Sequence, residues 1–458
     1  MRQRLFEQRP PYSGGEASVK LAIFEDELVE NFYPLTHTRT VCDLRVGIYD
    51  LKHRIMRAVK VDVSEVNFYV RSYLTKLCRH RLAEEGIKAR VNEEGAIDDD
   101  VVLVSGRLLL ANGADSKLSK LVREEGEFLL LCRGELAAAK LSAQRATCVE
   151  SKLLKLDISG LVGELKGEVK VLTDDGLPLL RYPWEIVVHN AELIKADYPS
   201  YVEGREGGGE LGERVTVYGS ERDVFVDEGA VVEDFVVLDA REGPIYIGRD
   251  TKVQSGARIE GPTFIGSDTI IVGGAQIREG SNIGDVCRVG GEFEESVMHG
   301  YSNKYHAGFI GHAYIGEWVN IGAMTTNSDL KDTYGTVKVT VRGERVDTGL
   351  MKVGCFMGDM VKTSIGVMIY TGKKIGVASH LHGVIYEDVP SFTIYAKSLG
   401  AEPVELYLES AIEIQRRMMR RRKKELKDYE VEVIRKVFEM TEEERRRAGV
   451  KKGRFKLP

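Results

Sequence analysis

The stretch Ile247–Val289 reads IGRDTKVQSGARIEGPTFIGSDTIIVGGAQIREGSNIGDVCRV, and an aliphatic residue recurs in it at every sixth position. A six-residue period is the signature of a parallel β-helix, in which each coil has three short strands and each strand sends one aliphatic side chain into the axis. Glycines that recur at 18-residue intervals suit the corners between strands. The stretch therefore predicts a β-helix domain, which we place at residues 214–400.

The repeat is interrupted twice after Val289. The six-residue step resumes at Phe309, Ile315 and Ile321, and it is then lost until Met357. The intervening segment, SDLKDTYGTVKVTVRGERVDTGLM, has alternating valines on both sides of Arg342-Gly343-Glu344 and predicts a hairpin that leaves the coil. Because sites are often built on loops that a rigid scaffold presents, the interruptions are where we expect function.

The regions on either side of the repeat have a different character. Residues 19–203 alternate between strand-like runs, such as VKLAIFED, and helix-like patterns, which predicts an α/β domain around a mostly parallel sheet. The charged, glycine-rich residues 204–213 read as a linker, and residues 1–18 as a flexible N-terminus. Residues 401–458 are predicted to form a basic helical tail. The fold class is thus α/β followed by β-helix and α-helices.

Composition restricts the class of protein. The 458 residues carry a formal charge of −6, which does not favour a polyanion-binding protein. Six scattered cysteines without a CxxC pair, and no long apolar run, predict a reduced, soluble, cytoplasmic protein without a membrane span. The tail contains RRMMRRRKK (Arg416–Lys424), which fits either an acidic or nucleic-acid partner or a solvated helix that caps the solenoid; we favour the second and expect no nucleic-acid partner.

Polar residues gather where the repeat resumes. His306 lies just before Phe309, and Asn320 and Ala323 flank Ile321 one coil later. Acyl transfer to an amine needs a base that removes the amine proton, for which neutral imidazole is suited, and N–H donors for the oxyanion. A lone histidine also commonly has a structural role, and that alternative stays open. His299 and His312 are weaker candidates, and His380 and His382, which have no nearby acid or cysteine, are interpreted as structural.

The segment LTHTRTVCDLRVG (Leu35–Gly47) follows the first predicted strand. In α/β sheets phosphates commonly bind at such a turn, so Thr38, Arg39 and Arg45 are predicted to contact a nucleotide, with the two arginines clamping its phosphates. A surface salt bridge is the alternative for each arginine. No Walker loop or GxGxxG motif occurs in this segment.

With these residues in view, the chain resembles the family of GlmU-like bifunctional sugar-1-phosphate nucleotidyltransferases and N-acetyltransferases, as a divergent branch. The resemblance is carried by FYPLTHTRTVCDLRVGI, by SNKYHAGFIGHAYIGEWVNIGAMTTNSDLKDTYGTVKV and by FMGDMVKTSIGVM. It implies a left-handed β-helix after a nucleotidyltransferase-like α/β domain. It also implies acetyl-CoA-dependent N-acetylation of glucosamine-1-phosphate or a similar amino-sugar phosphate, and uridylyl transfer from UTP with Mg²⁺.

The resemblance also implies roles for individual residues. His306 falls on the amine-deprotonating base, and Ala323 on the residue whose N–H faces the thioester oxygen. Phe309 and Asn320 fall on sugar-phosphate and sugar contacts, and Asn327 on an acceptor-site asparagine. Together with a homotrimeric assembly, in which sites lie at subunit boundaries, these residues would form the acetyltransferase site.

The sequence departs from the family pattern in both halves. The acidic Glu294 stands at the family's phosphate-binding lysine, so we expect Lys304 or Arg288 to supply the cation. The glycine-rich nucleotide loop is replaced by PLTHTRTVCDLR, and SGR (residues 105–107) stands where the magnesium-binding aspartate should be. Asn190 falls on the second magnesium position, with Asp26 as another candidate acid. A non-catalytic nucleotide-sugar-binding regulator or scaffold is therefore the alternative function.

Overall fold

The computed structural model describes residues 19–59, 63–111 and 113–457; the predicted flexible segment 1–18 lies outside them. The chain forms two compact units. Of the described residues, the α/β unit contains those up to Glu30 and those within 39–44 and 49–181. The solenoid unit contains residues 31–38, 45–48 and 182–458. Two short segments of the N-terminal region thus belong to the solenoid unit.

The N-terminal half of the chain provides short strands separated by helices. Its strands are β1 (Val19–Phe24), β2 (Arg45–Val46), β3 (Tyr49–Asp50), β4 (Val63–Tyr69), β5 (Ala89–Val91), β6 (Val101–Ser105), β7 (Phe128–Cys132), β8 (Glu135–Leu141) and β9 (Lys170–Thr173). Its helices are α1 (Leu51–Ala58), α2 (Thr75–Glu84), α3 (Ala114–Arg123), α4 (Ala143–Leu154), α5 (Ile158–Leu165) and α6 (Pro183–Val202).

A seven-stranded sheet in the order β5-β4-β1-β6-β8-β7-β9 is the centre of the α/β unit. Strands β5, β4, β1 and β6 run parallel, and β8 is antiparallel to both β6 and β7. Every residue of β1 and β6 is buried, as expected for central strands covered on both faces. Helix α1 begins at Leu51 because the Asp50 carboxylate accepts a hydrogen bond from the His53 N–H, 2.9 Å away. The prediction of a mostly parallel α/β fold is confirmed.

The solenoid unit is built from strands of two to four residues. In chain order they are β10 (Glu210–Leu211), β11 (Thr216–Tyr218), β12 (Val224–Val226), β13 (Val231–Val232), β14 (Val237–Asp239), β15 (Ile245–Ile247), β16 (Lys252–Val253), β17 (Arg258–Glu260), β18 (Thr263–Ile265), β19 (Ile270–Ile271), β20 (Gln276–Ile277), β21 (Ser281–Ile283), β22 (Arg288–Val289), β23 (Glu292–Glu294), β24 (Val297–Met298), β25 (Asn303–Lys304), β26 (Phe309–Gly311) and β27 (Tyr314–Ile315).

The later coils and the tail continue the chain. They contain β28 (Thr326–Asn327), β29 (Lys338–Val341), β30 (Glu344–Asp347), β31 (Phe356–Met357), β32 (Lys362–Thr363), β33 (Met368–Ile369), β34 (Lys374–Ile375), β35 (His380–Leu381), β36 (Val384–Ile385), β37 (Thr393–Tyr395) and β38 (Val404–Glu405). The helices of the tail are α7 (Leu408–Arg420), α8 (Asp428–Met440) and α9 (Glu442–Arg447).

These strands stack into three parallel faces, which we call A, B and C. Face A is β10-β13-β16-β19-β22-β25 and continues through Asn320 to β32-β35-β37. Face B is β11-β14-β17-β20-β23-β26 and then β28-β33-β36, and face C is β12-β15-β18-β21-β24-β27-β31-β34. The predicted hairpin forms as β29 and β30, paired antiparallel around Arg342 and Gly343, which both have positive φ. The predicted β-helix is confirmed.

The interior of the solenoid shows why the repeat exists and where it fails. All eight repeating aliphatic residues from Ile247 to Val289 lie fully buried in one continuous core. The resumption of the repeat was predicted one residue early: Ile310 occupies the core and Phe309 lies half-buried on face B. Two polar residues, Lys304 and Asn327, occupy strand positions whose neighbours in the stack are aliphatic.

The boundary between the units differs from the prediction in two places. Helix α6, predicted to close the α/β domain, belongs to the solenoid unit. Strand β10 begins inside the predicted linker, because Glu210 and Leu211 pair with β13 as the first rung of face A. In the tail, β38 pairs antiparallel with β37, and α7 buries Ala411, Ile412, Gln415 and Met419. This packing agrees with the interpretation of the tail as a cap.

Two global expectations can be compared with the structure. Among the described residues, no helix combines the length and the apolar character needed to cross a lipid bilayer. All six cysteines are free thiols, and only Cys148 is exposed.

Candidate functional site

The residues expected to carry acetyl transfer lie around one corner of the solenoid, between faces A and B. His306 lies at this corner between β25 and β26. Ala323 lies at the same corner one coil later, because the Met324 N–H donates to the Ala307 carbonyl at 2.8 Å and joins the two coils. Asn320 precedes the corner on face A, where it bridges to Asn303. The fold therefore brings together residues that are far apart in the sequence.

The functional groups at this corner are accessible. The His306 side chain is exposed, and its described ring contact is an edge contact with Tyr305, with centroids 5.2 Å apart. Within the described chain, no acceptor lies within hydrogen-bonding distance of the Ala323 N–H. The Phe309 ring covers Gly311, where an added Cβ would overlap the ring. The corner thus offers an imidazole, a peptide donor and an aromatic surface.

Lys304 supports this corner from inside the solenoid and is not placed to meet a substrate. Its ammonium donates to the carbonyls of Gly290 and Gly308, both at 2.6 Å, and to that of His306 at 3.3 Å. The residue is 1% exposed, and burial lowers the pKa of Lys304 to about 8. The expectation that Lys304 binds the sugar phosphate is therefore not supported; its side chain holds the backbone at His306 and Gly308 and joins it to the preceding coil at Gly290.

Asn327 is also turned into the core. Its Oδ1 accepts from the Gly311 N–H and its Nδ2 donates to the Gly311 carbonyl, both at 2.9 Å. Both amide functions are thus used by the neighbouring coil, and the side chain is 2% exposed. The expected contact of Asn327 with an acceptor substrate is not supported, because a buried, fully bonded amide has no group left to offer.

A charged cluster follows at the next corner, between faces B and C. The two ring nitrogens of His312 contact Asp329 Oδ2 at 2.8 Å and Glu295 Oε2 at 3.0 Å. Burial disfavours the protonated ring, yet these two carboxylates raise the pKa of His312 to about 9. Lys352, just after the extruded hairpin, approaches Glu294 to 3.3 Å. Glu294 is thereby neutralised by a cation that the sequence analysis did not single out.

Glu294, His312 and Asp329 present ligand atoms within 4.8 Å of one another. Both nitrogens of His312 are already engaged with carboxylates, and Lys352 occupies Glu294. We therefore describe this cluster as an ion-pair network that ties the hairpin base to the coil.

The predicted nucleotide-binding residues are distributed over both units. Thr38 is buried in the solenoid unit, where its hydroxyl donates to Asp359 Oδ2 at 2.5 Å. The Arg45 guanidinium lies 5.1 Å from the centre of the Phe264 ring, and its main chain exchanges hydrogen bonds with the Tyr314 hydroxyl. Thr38 and Arg45 thus bind solenoid groups, and a shared phosphate clamp is not supported. Arg39 lies in the α/β unit and is buried.

The carboxyl edge of the parallel strands in the α/β unit is filled by buried ion pairs. Asp26 follows β1 and pairs with Arg107, which follows β6; Nε lies 2.9 Å from Oδ1 and Nη2 lies 2.7 Å from Oδ2. Glu25 makes the same two-pronged contact with Arg71 at 2.9–3.0 Å. The Arg107 side chain is fully buried. A fixed guanidinium therefore occupies the position at which a metal was expected.

The observed groups do not fit Mg²⁺. The Asp26 carboxylate is consumed by Arg107, whose positive charge would repel a cation. Asn190 lies in the solenoid unit, where its amide accepts from the Gly47 N–H at 3.0 Å and from Asn282 Nδ2 at 2.8 Å, and donates to Gly280. The prediction of Asn190 as a metal ligand is not supported, because its side chain ties three chain segments together.

Comparison with known proteins agrees with this architecture. Residues 21–206 match the family model described as sugar nucleotidyl transferase. An uncharacterized acetyltransferase of Escherichia coli is 30% identical over 171 residues, which are 36% of this chain and 74% of that protein. The chain belongs to the GlmU-like nucleotidyltransferase and acetyltransferase family.

Two further relatives are named as bifunctional proteins. A bifunctional sugar-1-phosphate nucleotidylyltransferase/acetyltransferase of Sulfurisphaera tokodaii is 37% identical over 36% of this chain and 42% of its own length. A bifunctional GlmU protein of Bordetella parapertussis is 31% identical over 35% of each chain. The matched region therefore covers less than half of the length of each of these two relatives. The resemblance expected from the sequence is confirmed.

Proposed function

We propose that this protein is a bifunctional amino-sugar enzyme of its family, and that acetyl-CoA-dependent N-acetylation of glucosamine-1-phosphate, or of a similar amino-sugar phosphate, is the activity that the geometry supports best. The observation that carries the proposal is the corner at which an accessible imidazole, His306, lies one coil from a free peptide donor, Ala323. The Asn320 amide and the Phe309 ring lie on either side of this corner and are the groups that we propose contact the sugar.

The chemistry requires few groups. His306 accepts a proton from the substrate ammonium, and the neutral amine then attacks the thioester carbonyl. The Ala323 N–H donates to the oxyanion that forms, and collapse breaks the carbon–sulfur bond. The CoA thiolate takes up the second proton that the nitrogen loses as the amide forms, and the first proton passes from His306 to solvent. Lys304 holds the backbone of this corner through the carbonyls of His306 and Gly308. The acetyl group therefore passes from sulfur to nitrogen without a covalent enzyme intermediate.

The acetyl-transfer proposal is tested by incubating the protein with acetyl-CoA and glucosamine-1-phosphate and measuring free thiol. Release of one thiol per acetylated amine is expected, and release without a sugar acceptor serves as the background. Absence of acceptor-dependent thiol release with any of several amino-sugar phosphates would contradict the proposal.

Uridylyl transfer to a sugar phosphate rests on family membership of residues 21–206. Two observations favour the second candidate, a domain that binds a nucleotide sugar without transferring it: Arg107 fills the expected metal position, and Thr38 is bonded to Asp359. Pyrophosphate release from UTP, N-acetylglucosamine-1-phosphate and Mg²⁺ separates the two. Release at a rate proportional to protein concentration supports transfer, and binding without release supports the second candidate.

We also propose that the protein is a homotrimer and is located in the cytoplasm. Along the same A/B corner, Tyr305, Met324 and Ile365 form an apolar ridge with exposures of 44%, 63% and 79%. A row of large apolar side chains on a rigid corner favours contact with a second copy of the chain. Trp318, by contrast, is buried and stacks against Tyr301. A monomeric mass by light scattering at micromolar concentration would contradict the trimer.

A further inference from the structure

Two arginines flank one amide on face A, at the end of helix α7. Arg288 in β22 and Asn303 in β25 are direct partners in neighbouring strands, so their side chains are adjacent on the outer surface. Arg422, just after α7, donates from Nη2 to Asn303 Oδ1 at 2.7 Å. Arg421 precedes it and is exposed. The tail thus adds positive charge to a solenoid face that is already cationic.

These cations have no acidic partner. In the described part of the chain, no carboxylate oxygen lies within 4.0 Å of a side-chain nitrogen of Arg288, Arg421 or Arg422. Arg288 donates only to the backbone carbonyls of Asp268 and Cys287, at 2.9 and 2.7 Å. Arg422 Nε is buried and has no hydrogen-bond partner.

The rest of the tail is different. Arg417 pairs with Glu413 at 3.0 Å, Arg435 with Glu409 at 2.7 Å, and Arg447 with Glu443 at 2.7 Å. Acidic side chains therefore pair with other arginines of the tail. At the patch around Asn303, the Asp268 carboxylate interacts with Arg288 at longer range and, among the described residues, forms no ion pair with it. Burial first, and then the charges of Arg288 and Arg421, lower the pKa of Arg422, which is a sign of uncompensated repulsion.

We propose that Arg288, Arg421 and Arg422 form a phosphate-binding site that belongs to the ligand of the A/B corner. Guanidinium groups bind phosphate oxygens through paired, charge-assisted hydrogen bonds, and a dianion would relieve the repulsion among them. Arg422 Nε offers a donor that lacks an acceptor. The site would also supply the positive charge that the family's phosphate-binding lysine provides, since Glu294 stands at that lysine's position. Lys352 does not supply it, because it is paired with the Glu294 carboxylate.

The patch is connected to the proposed reaction site through two amides. Asn303 Nδ2 contacts Asn320 Oδ1 at 3.5 Å, and His306 follows Asn303 on the same corner. Beside the patch, Tyr301 stacks on Trp318 with centroids 4.3 Å apart, and the Lys424 ammonium lies 6.0 Å from the Tyr301 ring centre. Two ligands carry a suitable phosphate monoester, the amino-sugar phosphate and the 3′-phosphate of CoA. Their identity as ligands rests on the proposed function.

The test is calorimetric titration of the full chain with three probes: inorganic phosphate, glucosamine-1-phosphate and adenosine 3′,5′-bisphosphate. The variant carries Arg288→Gln and Arg422→Gln, and the matched control is Arg417→Gln on the same helix. We expect the double variant to lose at least about tenfold in affinity for the recognised probe, and the control to stay within about twofold. Loss with the sugar phosphate alone assigns the site to the sugar, and loss with the bisphosphate alone assigns it to CoA.

Equal affinity of the double variant and the wild type for every probe, or no binding by the wild type, would overturn the proposal. The single variant Arg421→Gln changes an exposed side chain and keeps the test available if the double variant does not fold; it should lose about threefold or more. Acetyl transfer is assayed separately on the wild type. Phosphate binding that the double variant loses, without acetyl transfer by the wild type, would reject the proposed function and support this site. Acetyl transfer by the wild type, with equal phosphate affinity in the double variant, would support the proposed function and reject this site.

Discussion

The A/B corner of the solenoid and the carboxyl edge of the α/β sheet are both positions where a family of this kind has its chemistry, and they have opposite electrostatic characters. At the corner, neither the His306 ring nor the Ala323 N–H makes a hydrogen bond to another described residue. At the sheet edge, Asp26 and Glu25 are each held by a two-pronged arginine. The groups that we propose to take part in the reaction make no hydrogen bond to another described residue. The paired carboxylates at the sheet edge have a structural role instead.

The sheet edge also shows what occupies the expected metal position. The sequence SGR places Arg107 where an acid was expected, and this arginine is neutralised by Asp26 and by Glu135, at 2.7 and 2.8 Å. Burial alone would lower the pKa of Arg107, yet these carboxylates raise it. Such a pair adds little net stability compared with apolar residues, but it is costly to break once present. The buried pair is therefore a structural element of the α/β unit whatever the activity of that unit.

The strongest test of the comparison is removal of the imidazole at the corner. General-base catalysis contributes roughly 10²–10⁴-fold, so His306→Ala should lower the acetyl-transfer turnover number by at least about a hundredfold, with unchanged acetyl-CoA affinity and melting temperature. The exposed His80 in α2 provides the control, His80→Ala, which should keep full turnover. A His306→Ala variant that melts early and retains near-normal turnover would show that this histidine is structural.

The complementary test is at the sheet edge. Arg107→Gln leaves the buried Asp26 carboxylate without its partner, and we expect a loss of about 3–5 kcal/mol in the free energy of unfolding of the α/β unit. Lys117→Gln removes an exposed ion pair with Asp174 in the same unit and should cost less than about 1 kcal/mol. Equal stability of the two variants by urea denaturation would mean that the Arg107 pair is not a structural element.

The third test uses the His312 cluster, which lies on the solenoid but resembles the sheet edge in being fully paired. The pKa of His312 in the folded protein is about 9, above the ordinary value of 6.5. The contribution of the protonated ring to the free energy of unfolding is therefore complete below about pH 6.5 and is lost as the pH rises through 9. The destabilisation caused by His312→Gln should therefore shrink by on the order of 2 kcal/mol between pH 7.5 and pH 10.

The control for this measurement is a histidine with the opposite shift. Burial lowers the pKa of His380 to about 4, so this ring is neutral in both the folded and the unfolded chain throughout that pH range. The cost of His380→Gln should be constant from pH 7.5 to pH 10. A constant cost for His312→Gln as well would contradict the proposed imidazolium.

Much of this protein could be predicted from periodicity. Eight aliphatic residues in phase determined the solenoid, because a buried axis accepts only apolar side chains at a fixed spacing. The same argument located the hairpin and the interruption that carries His306. It failed by one residue at Phe309, because coils near the interruption are shorter than the regular repeat and the inward position moved to Ile310.

The tertiary structure decided which polar residues face a substrate. Sequence position alone could not tell that Lys304 and Asn327 turn into the axis, since inward direction depends on strand register. Nor could it show that Thr38 and Arg45 bind solenoid groups, or that Arg107 meets Asp26 and Lys352 meets Glu294, because each contact joins residues distant in the chain. A repeat is a local property that a sequence displays directly, whereas the pairing of charges depends on the folded chain.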